Sequence, residues 1–204
     1  MSELNEQQMG RFNAVNARLG LAPAQSTHAT NARVKDFVAK QHVVLSSNPA
    51  ESDIPPYLIA VGSIAELNKL AGAPDDGDDT DVVYPPAASA HLTAKAEQPL
   101  TRAQLIGSLD DDTLADLKTA AAAYLKGNPA KVADYEPLIN ATLFPGKVAV
   151  FADSGDLNVP ENGSVTIKGA DPVVLNYGSI TVGQNGQIIV QTDANITTQI
   201  MTQL

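Results

Sequence analysis

Cysteine and tryptophan are absent from this chain, and only 4% of its residues are aromatic. Without cysteine there is no disulfide, no thiolate nucleophile and no sulfur ligand for a metal, and the redox compartment stays open. With so few aromatic rings the core has to be built from Ala, Val, Leu and Ile, which pack in thin layers. Long apolar runs are missing as well. No window approaches the ~20 apolar residues of a membrane span, and the N-terminal stretch lacks the apolar run of a signal peptide. The expectation is a chain without a membrane span, either cytoplasmic or exported by a signal-independent route.

Positive charge is scarce too: 13 Lys and Arg stand against 23 Asp and Glu, a formal charge of −10. Nucleic acids and anionic membranes are poor partners for such a chain, because binding a polyanion depends on cations displacing its counterions. The charge is unevenly placed. Residues 1–45 hold Arg11, Arg18, Arg33, Lys35 and Lys40 against Glu3, Glu6 and Asp36, a net of +2, which leaves −12 on the remainder. A mildly basic arm beside an acidic body can dock on that body, in its own chain or in a neighbour.

What is present supports a folded protein: 204 residues, 44% of them hydrophobic, suffice for one domain or two small ones. The reading is an α+β chain in three parts. Residues 1–45 form a helical arm. Met9, Phe12, Val15 and Leu19 recur at helical spacing, which predicts a helix over 3–19 ended by Gly20. Asn31 caps a second helix over 32–40, with Val34, Phe37 and Val38 on its buried face. Residues 46–145 are a mixed α/β region. His42–Leu45, at its entrance, and Tyr57–Val61 have the short apolar character of strands, and Ser63-x-x-Glu66 opens a helix over 64–71 that Gly72 closes. An acidic, Pro- and Ala-rich stretch over 73–99 is a long loop or an ordered excursion over another surface. Beyond it, Thr101-x-x-Gln104 and Asp110 to Asp112 mark helix starts, and Leu114, Leu117, Ala121 and Leu125 line one face.

Residues 146–204 carry an internal repeat of 23 residues. Gly155–Lys168 aligns with Gly178–Gln191 through the identities Gly155/Gly178, Val159/Val182, Asn162/Asn185 and Gly163/Gly186. Aliphatic exchanges add Leu157/Ile180, Val165/Ile188 and Ile167/Val190, and the same offset carries Val150 to Val173 and Ile196. Alternating aliphatic and polar residues around an Asn-Gly corner fit a short β-solenoid, with paired β-hairpins as the alternative. This stretch resembles the parallel β-helix segments of adhesins, phage tail proteins and polysaccharide-binding proteins. In either arrangement the eight aliphatic residues of the repeat should be buried, and the last unit should leave an open edge.

Candidate chemistry is sparse. Asp75, Asp76, Asp78, Asp79 and Asp81 surround Gly77, and Asp76, Asp78, Asp79 and Asp81 are the weak candidates for calcium; the spacing is not that of an EF-hand, and a solvated loop is the simpler reading. His28, His42 and His91 are dispersed. Asp153, Asp156, Glu161, Asp171 and Asp193 lie near turns and make a poor acid–base pair. No catalytic residue and no cofactor is assigned. The expectation is a non-enzymatic structural or interaction subunit that self-assembles through its N-terminal arm and C-terminal β edge. Its principal partner is itself, with other proteins or polysaccharide beyond that. The alternative is a secreted binding module of the adhesin, carbohydrate-binding or toxin-associated kind.

Overall fold

A computed structural model describes residues 4–21, 41–73 and 79–204, with the side chain of Ser154 set aside. The helix expected over 32–40 and the acids Asp75, Asp76 and Asp78 lie outside the described residues. Within them the chain is mixed α+β, with six α-helices and two β-sheets. It divides into two compact units, Met1–Ile59 with Lys147–Leu204, and Ala60–Gly146.

The first unit holds the strands. One sheet has the order β1 (His42–Ser46), β4 (Ser164–Lys168), β6 (Gln187–Val190). The other runs β2 (Tyr57–Val61), β3 (Gly146–Val159), β5 (Val173–Val182), β7 (Ala194–Gln203). The pairs β1–β4, β4–β6, β3–β5 and β5–β7 are all parallel. Consecutive strands β3 and β4, or β5 and β6, therefore sit in different sheets and do not pair as hairpins.

Register follows the repeat. Val165 lies opposite Ile188, Ile167 opposite Val190, Leu157 opposite Ile180 and Val159 opposite Val182. The wider extension fails: Val150 faces Val174 rather than Val173, and Val173 faces Ala194 rather than Ile196. An irregularity between Asp153 and Asp156 shifts the first half of β3 by one residue. Each such slip changes which residue a side chain meets in the next strand.

The corners explain the identities. Asn162 and Asn185 both sit at φ 55°, a left-handed conformation that Asn tolerates better than other side-chain-bearing residues. Asn185 Nδ2 donates to Asn162 Oδ1 over 3.1 Å, so the two corners stack side chain on side chain. Gly163 is forced by space: a Cβ there would stand 2.5 Å from Pro160 Cγ and 2.6 Å from the carbonyl oxygen of Gln41.

Helix α1 (Glu6–Arg18) opens with a capping box between Asn5 and Gln8. Its buried stripe is Phe12, Asn16 and Leu19. Met9 is exposed and Val15 half-buried, so the face is rotated from the expected one. Polar Asn16 is buried because β5 supplies a partner: Asn176 Nδ2 donates to Asn16 Oδ1 over 2.8 Å and to the Phe12 carbonyl over 3.3 Å. The first helix of the arm thus finds its surface within its own chain.

The second unit is helical. Ser63 caps α2 (Ile64–Ala71) by accepting from the Glu66 N–H, the Glu66 carboxylate reaches back to the Gly62 N–H rather than completing the expected box, and Gly72 ends the helix. α3 (Ala90–Ala96) interrupts the stretch expected to be a loop. α4 (Arg102–Gly107) starts at the Thr101/Gln104 box, and α5 (Asp111–Lys126) is capped by Asp110. A 3-10 helix over Pro129–Tyr135 leads into α6 (Glu136–Leu143). The buried face of α5 runs through Leu117, Ala120 and Tyr124; Leu114, Ala121 and Leu125 are only half-buried, a rotation away from the expected stripe. The stretch before α3 is an ordered excursion. Tyr84 Oη donates to Asp79 and accepts from the Asn128 N–H, Tyr135 Oη donates to the Pro86 carbonyl, and the Ala88 N–H donates to Asp134.

Candidate functional site

The chemistry expected at the acidic loop is partly accounted for. Asp79 is held by Lys131 at 2.7 Å and by the Tyr84 hydroxyl at 2.6 Å, and these bonds keep its carboxyl below the usual range. The Lys131 ammonium also stands 4.7 Å from the centre of the Tyr84 ring. Asp79 therefore already has its cation, while Asp81 is exposed and Asp76 and Asp78 are outside the described residues. Among the described residues no group of three His, Asp or Glu side chains could hold a metal ion, and no helix is long and apolar enough to cross a membrane.

The other candidates are scattered. His42 Nδ1 meets Ser164 Oγ at 3.0 Å, across the β1–β4 pair, and His91 is exposed on α3. Asp156 accepts from Ser179 and Thr181 on the neighbouring strand, which makes it a cross-strand brace. Asp153 is buried and accepts from the Gly155 N–H at 2.8 Å. It faces Tyr177 across the β3–β5 register. Burial, with the charge of Asp153 added to it, pushes the Tyr177 phenol well above its ordinary pKa, so the ring is a core filler in its neutral form.

The surface that does stand out is the last strand of each sheet. Among the described residues β6 and β7 have a strand neighbour on one side only. In the strands before them the inward rows are closed. Val43, Leu45, Phe151, Leu157, Val159, Val165, Ile167, Leu175, Ile180 and Val182 form one core with Ile54. The pairing carries that row onto Ile188 and Val190 in β6, and onto Ile196 and Met201 in β7. There it comes into the open: Ile188 is half-buried, and Val190, Ile196 and Met201 are 50%, 40% and 66% exposed. The expectation that all eight repeat aliphatics are buried is thus met by six and fails at Ile188 and Val190. No described strand lies beyond β6 to cover them.

Along β7 the usual order is inverted. The row that continues the core, Ala194, Ile196 and Met201, is exposed, while Asn195, Thr197 and Ile200 between them are half-buried. The inward row belongs to a core that is not closed on this side.

The opposite end is treated differently. Val44 in β1 spends both backbone groups on Asp53: its N–H donates to Asp53 Oδ2, and its carbonyl accepts from the Asp53 N–H, each at 2.8 Å. The Ser46 N–H donates to Ser52 Oγ at 2.9 Å, and Ile54 is buried in the core. This stopper was missed in the sequence, where Asn48-Pro49 and Pro55-Pro56 signal only turns; the polar run Glu51-Ser52-Asp53 before buried Ile54 is the trace it leaves. No family model matches this chain, and no curated protein or solved structure matches it either.

Proposed function

We propose that this protein is a non-enzymatic structural subunit whose C-terminal strands form a short parallel β-solenoid, and that copies join through its open end. The observation that carries the reading is the uncovered inward row of β6 and β7, where Val190, Ile196 and Met201 lie in line with a closed core. Burying a large aliphatic side chain contributes ~1.5–3 kcal/mol, and an edge strand offers unpaired N–H and C=O groups to any incoming strand. The solenoid reading draws on parallel pairing in both sheets, on the repeat offset kept across β4–β6, and on the stacked Asn162 and Asn185 corners. The arm has a smaller part in this reading than its charge suggested. α1 covers the outer face of β5 in its own chain, and it would link copies only by exchange.

The test is the mass of the purified protein in solution by light scattering over a wide concentration range. The expected result is a species heavier than 21.3 kDa that Met201→Asp reduces to the monomer. A monomer at high concentration removes the self-assembly reading.

A further inference from the structure

Resting on the reading that the open end joins copies, we propose that its occupant is the same end of a second copy, related by a two-fold axis, with the two β7 strands antiparallel. Two observations and one symmetry argument converge on this. The first end of the β1–β4–β6 sheet is stopped by Ser52, Asp53 and Ile54, so a head-to-tail stack cannot continue both sheets together. An open end that cannot find a matching open end of the opposite kind is left with itself, which is an isologous contact. Residues 187–204 also carry one charged side chain, Asp193, in a chain of net −10. Two such faces meet without the like-charge repulsion that the rest of the surface imposes. Finally, a two-fold axis perpendicular to the sheets continues each sheet into its counterpart and closes both inward rows in one core.

The apolar row also fixes the register. The inward residues of β7 are those opposite Val173, Leu175, Tyr177, Ile180 and Val182, namely Ala194, Ile196, Thr198, Met201 and Gln203. They change from even to odd numbers after Thr198. An antiparallel copy therefore matches inward residues at both ends of the strand only where an even residue faces an odd one. Placing the two exposed apolar side chains opposite each other sets Ile196 of one copy against Met201 of the other, and Ala194 against Gln203.

Because the chain has no cysteine, the pairing is read by disulfide formation in the full-length protein. The variants are Ile196→Cys, Met201→Cys and the double substitution, each at an exposed position. On mild oxidation the double variant should run as a covalent dimer on a non-reducing gel. Each single variant should stay uncrosslinked, since a residue and its own copy are about 17 Å apart in this register, beyond disulfide reach. If the unmodified protein scatters as a monomer, the self-assembly reading and this inference fall together. If it assembles but the double variant does not crosslink, or a single variant does, or the species exceeds a dimer, the two-fold pairing is overturned and self-assembly stands.

Discussion

Val165 and Ile167 in β4 and Ile188 and Val190 in β6 are the same two positions of the repeat, one unit apart and hydrogen-bond neighbours in one sheet. The first two are fully buried, and the second two are not. Identical patterning thus gives opposite burial, and the difference lies in whether another strand follows. An alternating aliphatic row is a demand for cover, and the covering layer has to come from somewhere else in the chain or from outside it.

The sharpest way to break this comparison is to place a charge at two facing positions. Ile180 and Met201 are register partners in β5 and β7. Ile180→Asp buries an unpaired carboxylate at a cost of several kcal/mol, and the strand unit should lose its cooperative unfolding transition in circular dichroism. Met201→Asp should change the stability of the folded chain by no more than about 0.5 kcal/mol while abolishing assembly in light scattering. Equal destabilisation by the two would mean that the end is closed in solution.

Next in size is the seal on the outer face of β5. Phe12→Ala should cost about 3–5 kcal/mol in a denaturant titration, as deletion of a fully buried ring does. Asn176→Ala leaves the buried Asn16 side chain without its partner and should cost about 1–3 kcal/mol. A smaller effect is expected at the corners. Asn162→Ala should lose about 1–2 kcal/mol in the same titration, because a left-handed residue is strained without the local bonding of Asn, whereas Asn162→Gly should lose less.

The smallest effect belongs to the exposed Asp79–Lys131 pair. Asp79 titrates below its usual range, so its contribution is complete above the ordinary carboxylate range and is lost as pH falls through the lowered value. The same bond raises Lys131, so that contribution is complete below the ordinary lysine range and is lost as pH rises through the raised value. Lys131→Met should therefore lower the melting temperature slightly at neutral pH and hardly at all in strong acid. An unchanged difference at pH 2 would show that lost packing on Tyr84, not charge, is responsible.

Much of this fold was legible wherever a local rule was strict. Ser63, Thr101 and Asp110 mark helix starts because a cap needs a side-chain oxygen at one position, and Asn162 and Asn185 mark corners because few residues tolerate positive φ. The 23-residue offset held across β4–β6 and the second half of β3–β5, but it slips by one residue before the bulge at Asp153 and is 21 all along β5–β7, lengths of turn that no composition records. α3 was hidden because none of its residues is buried, and α6 because eight residues give little periodicity. The pairing of β1 with β4 was beyond reach because its partners are 122 residues apart. As for the candidate site, an open edge was foreseeable from the repeat count, but which side chains it exposes depended on a register the sequence left unresolved.

The pairing of β1 with β4 also bears on how the chain is made. During synthesis β1 leaves the ribosome long before β4 exists, and its edge waits while residues 60–146 are added. Those residues form their own compact unit, so they can fold in the interval and turn a long floppy tether into a short one. Closing a loop costs free energy that grows with the logarithm of its length, and distant strand pairings are slow to form. An insertion that folds as its own unit leaves less free chain in the loop that the β1–β4 pairing has to close.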